Sequence, residues 1–299
     1  MPIIAVFYTS LALLAFAGNS VLCRLALHHL QMDAGSFTGI RLIAGAITLL
    51  LLVSLFNLRQ LPRHDKPLSH QLRSAGSWSA ACMLFVYAIA FSYAYITLDT
   101  GTGALILFAA VQITMLVVNA LRGNRLLMME WMGLLLAMLG LVYLLLPTLS
   151  IPTLTGFVLM LMAGMAWAFY TFAGQGSTQP LLATTSNFLR TLPIAIPMLL
   201  VGLGQSDMPM EGVLLAVLSG AMASGVGYTL WYLALRHLTT VLAAVVQLMV
   251  PIVAALFGIL FADEMLTQTL AVASVLIVGG LLLVLMAKTT KPLAEIKDK

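Results

Sequence analysis

Ten long apolar runs, separated by short polar connectors, account for most of the chain. Each run holds about 20 mostly apolar residues, the length that a helix needs to cross the hydrocarbon core of a bilayer. The predicted helices, numbered 1 to 10, cover residues 3–23, 36–56, 76–97, 102–121, 130–147, 155–174, 186–204, 211–235, 239–261 and 268–287. The sequence therefore predicts an all-α integral membrane protein with ten transmembrane helices.

Composition argues against the other large classes of protein. Of the 299 residues, 62% are hydrophobic and 8% are charged, against about 45–50% and 25% in soluble domains. The basic residues are scattered among connectors, so no nucleic-acid partner is expected. Because no cleavage signature closes the first run, it is expected to be a retained helix. Motifs for a metal site, a catalytic nucleophile or a phosphate loop are absent, so no enzyme, nucleotide-driven pump or cofactor is predicted.

The distribution of charge predicts the orientation. Connectors that follow even-numbered helices, together with the C-terminal tail, hold Arg59, Arg63, Lys66, Arg73, Arg122, Arg125, Arg236, Lys288, Lys291, Lys297 and Lys299. Connectors that follow odd-numbered helices hold Asp33, Asp99, Asp207, Glu211, Asp263 and Glu264, with Arg24 as their one basic residue. Since basic connectors stay in the cytoplasm, both termini are predicted to be cytoplasmic, in the cytoplasmic membrane of a bacterium.

The two halves of the chain resemble each other weakly. A shift of 140 residues aligns Gly140 with Gly280 and Asn124 with Glu264, and a shift of about 150 nearer the start brings Arg41 almost onto Arg190. Residues 1–150 and 151–299 would then form two repeats of five helices. Because five is odd, the second repeat would cross the membrane in the opposite sense, which is the architecture of many alternating-access transporters.

Several stretches resemble the EamA-type members of the drug/metabolite transporter superfamily. They are "DAGSFTGIRLIAGAITLLLL" (33–52), "YAYITLDTGTGALI" (93–106) and "GYTLWYLALRHLTTVLAAVVQLMVPIVAALFGILFADEMLT" (227–267), followed by Gly279 and Gly280 in the last helix. Pro251 with Glu264 matches a family pattern, whereas Val111 and Asn124 replace it in the first half. The resemblance implies a ten-helix carrier in which helices 1, 3, 4, 6, 8 and 9 surround a central cavity. It also implies that helices 5 and 10 are a scaffold or the contact of a homodimer.

Polar side chains within the helices are candidates for the binding of a solute, because a polar group in hydrocarbon is costly. Asn19, Gln112 and Gln247 are such amides. They have two interpretations: they line a wet cavity, or they join neighbouring helices by hydrogen bonds. Pro251 removes a backbone hydrogen bond within helix 9 and is predicted to kink it. The kink has two interpretations, a gating hinge or a purely structural bend.

Aromatic residues recur at helical spacing on three of the helices that the resemblance places around the cavity. The candidates for substrate binding are Tyr87, Trp167, Tyr170, Tyr228 and Trp231. An aromatic stripe also suits simple helix packing, so both interpretations stay open. Together with the amides, these rings would suit an aromatic, amphipathic or cationic solute.

Two arginines lie inside apolar runs. Arg41 is about five residues from the predicted outer end of helix 2, and Arg190 about five residues from the inner end of helix 7. Near a membrane surface a long cationic side chain can reach the headgroups. Both are therefore predicted to contact helix ends or connectors and to steady a gate, so that replacing either by alanine would impair transport but not substrate affinity. The alternative is a charge that grips the substrate, and a loss of binding in either variant would favour it.

The sequence thus predicts a secondary transporter that moves a small organic metabolite, such as an amino acid, by alternating access, with export as the expected direction. Acidic residues and histidines fall at helix ends or in connectors, which favours facilitated diffusion or exchange over proton coupling. The alternative is a membrane protein that is not a carrier, such as a lipid scramblase or an assembly partner.

Overall fold

The computed structural model describes residues 2–59, 67–98, 100–123, 126–146, 153–204, 208–253 and 268–289. A helix lies at the position of every predicted helix, and the described residues form no strand. Helices 1 to 7 are Ile3–Arg24, Ala34–Arg59, Trp78–Thr97, Thr100–Leu121, Met128–Leu145, Leu154–Gln175 and Pro180–Leu203. Helix 8 comprises Met210–Leu218, a π-helical stretch Ser219–Val226 and Gly227–Leu235, helix 9 starts as Thr240–Gln247, and helix 10 is Gln268–Thr289. The prediction of an all-α fold is confirmed.

Within the described ranges, six of these helices, numbers 1, 2, 3, 6, 7 and 8, are long and apolar enough to cross a bilayer. Helices 4, 5, 9 and 10 contain shorter apolar segments, Ile106–Leu121, Met128–Tyr143, Thr240–Val253 and Ala271–Ala287. Many large apolar side chains point outward, for example Leu51, Leu139 and Val275. Such a surface suits contact with lipid chains and not with water.

Serine and threonine side chains start three of the helices. The side chains of Ser77, Thr153 and Thr239 accept hydrogen bonds from backbone N–H groups in the first turns of helices 3, 6 and 9. The distances from the backbone nitrogen to the side-chain oxygen are 3.1 Å, 3.1 Å and 3.3 Å. These bonds satisfy N–H groups that have no partner within the helix.

Helix 7 begins at Pro180, six residues before the predicted limit. The predicted helix 7 starts at residue 186 and leaves out the polar residues Thr184 and Thr185. In the structure their hydroxyls donate to the carbonyls of Pro180 and Leu181 at 2.8 Å and 2.7 Å. Because the helix itself satisfies these hydroxyls, the polar run continues the helix and does not end it. A short exposed helix, Leu68–Ala75, lies in the second connector, which joins helix 2 to helix 3. The sequence predicts no helix there.

Small residues let helix 8 approach its neighbours closely. A Cβ on Gly220 would collide with the backbone of Arg41 in helix 2, and one on Gly227 would lie 2.7 Å from the Ala15 side chain in helix 1. The backbones are therefore nearly in contact, as small residues at four-residue spacing allow. The π-helical stretch coincides with the Gly220 crossing.

Pairs of helices form the rest of the interior. Helix 2 packs on helix 7, helix 5 on helix 10, helix 3 on helix 6 and helix 1 on helix 8, while helix 4 contacts helices 6 and 9. Gly133 and Gly280 bring helices 5 and 10 together, because a Cβ on Gly133 would lie 2.6 Å from the Gly280 carbonyl oxygen. Buried side chains form one continuous core through these pairs.

Candidate functional site

A central cavity lies where helices 1, 3, 4, 6 and 9 meet. Asn19, Tyr87, Trp167 and Gln247, all predicted as binding residues, contribute to its wall. The other lining residues are Phe16, Ser20, Phe91, Leu107, Phe108 and Val250. The cavity volume is about 30 Å³, which is enough for a water molecule and far below the space that a metabolite needs.

Trp167 is at the centre of the aromatic residues around this cavity. Its ring centroid lies 4.9 Å from those of Tyr87 and Tyr228 and 5.2 Å from that of Phe16. Its indole N–H donates to the Gln247 side-chain oxygen at 2.6 Å. The hydrogen bond fixes both side chains, because each satisfies a polar group that is buried among apolar neighbours.

Three further predicted residues lie beside the cavity and not on its wall. The Tyr228 ring contacts Phe16 and Trp167, and the Trp231 indole donates to the Thr171 hydroxyl at 3.2 Å. Tyr170 is fully buried, and its hydroxyl makes no hydrogen bond to a described residue. The structure thus brings the rings predicted on helices 3, 6 and 8 together.

The two remaining amides make interhelical hydrogen bonds. The Ser219 hydroxyl donates to the Asn19 side-chain oxygen at 2.6 Å, which joins helix 8 to helix 1. Gln112 donates through Nε2 to the Ala244 carbonyl at 2.5 Å, which joins helix 4 to helix 9, while its Oε1 has no partner in the part of the chain that the structure describes. Gln112 therefore joins two helices, and of the two residues only Asn19 also lines the cavity.

The geometry expected for Arg41 is wrong. Its side chain does not reach toward a membrane surface, because it is 1% exposed and lies inside the helix bundle. Nε donates to the Ser224 hydroxyl at 2.9 Å, and Nη2 donates to the Tyr228 hydroxyl at 2.6 Å. The close contact at Gly220 holds helix 8 against helix 2 and so presents these hydroxyls to the guanidinium. The interior of the bundle thus carries a permanent positive charge.

Arg190, by contrast, makes the kind of contact that the sequence predicts. Its Nη2 donates to the carbonyl of Arg73 at 2.9 Å, at the end of the short connector helix. Its guanidinium carbon also lies 5.6 Å from the ring centroid of Trp78, at the start of helix 3. Arg190 therefore ties helix 7 to the second connector.

A second, larger cavity of about 540 Å³ lies beside this contact. Hydroxyl and amide side chains line it, including Ser77, Thr178, Gln179 and Asn187. Tyr232 forms part of its wall and donates through its hydroxyl to the Tyr170 carbonyl at 3.0 Å. Ring contacts continue from Tyr232 through Tyr170 to Trp167, so aromatic side chains connect this polar cavity with the central one.

Some residues of the site were not predicted. Phe16 lies three residues before Asn19 in helix 1, and Ser20 lies one turn after Phe16, so the helical spacing applied to helices 3, 6 and 8 would also have found them. The distance of Arg41 from its helix end predicts a place at a gate near the membrane surface, whereas the side chain lies inside the bundle. Its spatial neighbours, Ser224 and Tyr228, are far along the chain, and no local pattern reveals them.

Apolar helices around an internal cavity of amide and aromatic groups define a multi-pass membrane protein that encloses a polar interior. The EamA-like transporter family profile matches residues 154–286. The Pseudomonas aeruginosa protein PA1977, itself uncharacterized, is 47% identical over 287 residues, which cover 96% of each chain. The chain belongs to the EamA-like transporter family.

The fold also has a counterpart among solved structures. One crystal structure of a protein aligns with a TM-score of 0.70 and 19% identity, over 93% of this chain and 98% of that chain. At this level of identity the similarity concerns the fold alone. It covers both halves of the chain, whereas the family profile covers the second half.

Proposed function

We propose that the protein is a secondary transporter that moves a small organic metabolite out of the cell across the bacterial cytoplasmic membrane. The observation that carries this proposal is the central cavity, in which polar groups from both halves of the chain meet among aromatic rings. Asn19 and Trp167 come from opposite halves. Polar groups in the middle of apolar helices are costly, and they are retained where a solute or ion passes.

Alternating access between two inverted repeats fits the packing. If residues 1–150 and 151–299 are repeats, the helix 3–helix 6 pair corresponds to the helix 8–helix 1 pair, and both pairs are in contact. The helix 2–helix 7 and helix 5–helix 10 pairs would each map onto themselves. A binding site between inverted repeats would face one side of the membrane and then the other.

A conformational change is part of the proposal, because the central cavity is too small for a metabolite. The π-helical stretch of helix 8 and the region around Pro251 are the proposed moving parts. The first segment of helix 9 ends at Gln247, and Pro251 has no N–H to donate to the Gln247 carbonyl. Proline positions and π-helical turns are where helices bend most readily.

In the proposed orientation both termini and the larger cavity face the cytoplasm, so this cavity would receive the solute. Many of the acidic and basic residues on which this orientation rests lie outside the described residues, among them Asp99, Asp207, Asp263 and Glu264. A reporter fused to the C-terminus that is active only in the periplasm should stay inactive. An active reporter would reverse the orientation.

The same helix-end positions of carboxylates support exchange or facilitated diffusion. Asp33, Glu130 and Glu211, the carboxylates among the described residues, all lie at helix starts.

A homodimer through the outer faces of helices 5 and 10 stays part of the proposal, because large apolar side chains such as Leu135 and Leu282 are exposed there.

The function can be tested by flux into proteoliposomes that contain the purified protein. We expect saturable uptake of one metabolite that unlabelled copies of the same metabolite inhibit, with no accumulation when only a pH gradient is imposed. Accumulation of the metabolite against its own concentration gradient, driven by the imposed pH gradient, would establish proton coupling instead. Movement of labelled lipid between the leaflets, without solute flux, would favour the scramblase alternative.

Replacing Arg190 by glutamine tests the proposed gate. The change removes the charge that holds the Arg73 carbonyl and the Trp78 ring, so the connector and helix 7 lose a contact. We expect maximal flux to fall about 3- to 10-fold, since a charge-assisted hydrogen bond at a partly exposed position contributes about 1 kcal/mol. Substrate affinity should stay within about twofold, because Arg190 does not line the central cavity. A large loss of affinity with unchanged maximal flux would place Arg190 in the binding site.

A further inference from the structure

Within the described part of the chain, one nitrogen of the buried Arg41 guanidinium has no hydrogen-bond partner. Nε and Nη2 each donate to a hydroxyl, whereas Nη1 is buried and makes no such bond to a described residue. An arginine side chain in a protein interior normally has its N–H groups satisfied, because an unused buried donor destabilises the fold. The unused nitrogen is therefore the feature of this site that requires an explanation.

The positive charge of Arg41 is also unbalanced within the described part of the chain. The described carboxylates are Asp33, Glu130 and Glu211, and none of them lies within ion-pair distance of Arg41. Two of them accept hydrogen bonds elsewhere, Asp33 from Ser36 N–H at 2.6 Å and Glu130 from Leu127 N–H at 2.9 Å. The groups that do face the guanidinium are neutral hydroxyls and aromatic rings. They stabilise a cation only in part, because a buried charge needs an opposite charge to offset its lost hydration.

The charge lies next to the central cavity. The guanidinium carbon of Arg41 is 5.6 Å from the ring centroid of Tyr87 and 5.9 Å from that of Phe91, and both rings line that cavity. Tyr228, which accepts from Nη2, also contacts Trp167 on the cavity wall. Displacement of the Tyr87 ring would bring a bound solute within reach of Nη1.

We propose that Arg41 binds the carboxylate of the transported solute, so that the substrate is a monocarboxylate or an amino acid. This inference rests on the proposed transport function and names the chemical class of its substrate. A planar carboxylate matches guanidinium geometry and accepts charge-assisted hydrogen bonds from it. The solute therefore supplies the counter-charge that the described residues lack.

The number of charges favours a carboxylate over a phosphate. One arginine offsets one negative charge, whereas a phosphate monoester carries about 1.5 to 2 negative charges at neutral pH. Arg41 lies beside two rings of the central cavity wall, Tyr87 and Phe91. Arg190, whose Nη1 also has no partner among the described residues, lies instead against the Arg73 carbonyl and the Trp78 ring, and Arg24 is exposed. A phosphate would leave negative charge buried and unpaired.

The first test measures thermal stabilisation of the purified full-length protein by a panel of solutes. Amino acids and monocarboxylates are each paired with their carboxamides, such as 3-phenylpropionate with 3-phenylpropionamide, and phenyl phosphate and inorganic phosphate complete the panel. A ligand of the folded state raises its apparent stability. We expect at least one carboxylate to raise the melting temperature while its carboxamide does not. Equal shifts for acid and amide, stronger shifts by the phosphates, or no shift by any member would each overturn the proposal.

The second test compares arginine variants, with the best carboxylate of the panel as the probe. The dissociation constant should rise about 10- to 100-fold in Arg41→Gln and less in Arg41→Lys, which keeps the charge. Arg190→Gln is the matched control and should change it by less than about twofold. If Arg41→Gln does not fold, Arg41→Lys decides: an unchanged dissociation constant for both acid and amide overturns the proposal.

Flux measurements separate this inference from the function on which it rests. Suppose that a neutral or phosphorylated solute shows saturable flux that Arg41→Lys does not change. The proposed transport function would then stand, and the proposed binding of a carboxylate by Arg41 would be wrong. Absence of saturable flux for every solute of the panel, with lipid movement instead, would remove the proposed function itself.

Discussion

Replacing Trp167 by alanine is expected to abolish saturable flux and to lower the free energy of unfolding by about 3–5 kcal/mol. The indole is 5% exposed and contacts Phe16, Tyr87 and Tyr228. Its loss leaves a hole among these rings and removes the donor to Gln247. Denaturant titration of the purified protein measures the stability, and proteoliposome flux measures the activity.

Two comparison variants make this expectation specific. Trp131→Ala removes the same side chain from the outer surface, where it is 44% exposed, and it should lower the unfolding free energy by less than about 1 kcal/mol. Trp167→Phe keeps one aromatic ring but removes the N–H donor to Gln247 and part of the indole volume, so an intermediate loss of about 1–3 kcal/mol is expected. If Trp167→Ala and Trp131→Ala change the flux and the free energy of unfolding equally, the proposed central role of Trp167 in the site is wrong.

Gly220→Ala is expected to reduce flux at least 10-fold and to destabilise the protein by about 1–3 kcal/mol, the usual effect of overpacking. The added methyl would collide with the carbonyl oxygen and Cα of Arg41. Both are rigid backbone atoms, so relief requires helices 2 and 8 to move apart. That movement would pull Ser224 and Tyr228 away from the guanidinium of Arg41.

Gly18→Ala is the matched control for this change. Gly18 is also a helical glycine, but a Cβ there meets no atom within 4 Å. Alanine favours a helix over glycine by about 1 kcal/mol, so Gly18→Ala should leave stability unchanged or raise it. A stabilised, active Gly220→Ala variant would show that helices 2 and 8 are not held in the close contact described.

The helices were predictable because each depends on a local property. Apolar runs predicted the described helices well, and the bounds of helix 10 differ from the prediction by only two residues at its end. Residues 254–261, the second part of predicted helix 9, lie outside the described residues. The start of helix 7 was missed, because its threonine hydroxyls bond within the helix. The proposed pairing of Asn124 with Glu264 lies outside the described residues.

The candidate site was predictable where helical spacing decides which side chains share a face. Tyr87, Trp167 and Tyr228 do meet, as their shared faces and the family resemblance suggested. Arg41 was misjudged because the direction of a long side chain depends on partners in a distant helix. Its distance from the helix end indicated a membrane surface, whereas Gly220 and the hydroxyls of helix 8 create a polar space inside.

The Arg41 contacts also bear on the order in which the protein is made. The hydroxyls that accept from Arg41 come 183 and 187 residues later in the chain. At about 5–20 residues per second, synthesis needs roughly 10–40 s to reach them. During this time helix 2 holds a cation whose final partners have not yet been synthesised. Arg41 therefore makes its two hydrogen bonds to helix 8 only after helix 8 has been synthesised and has packed against helix 2.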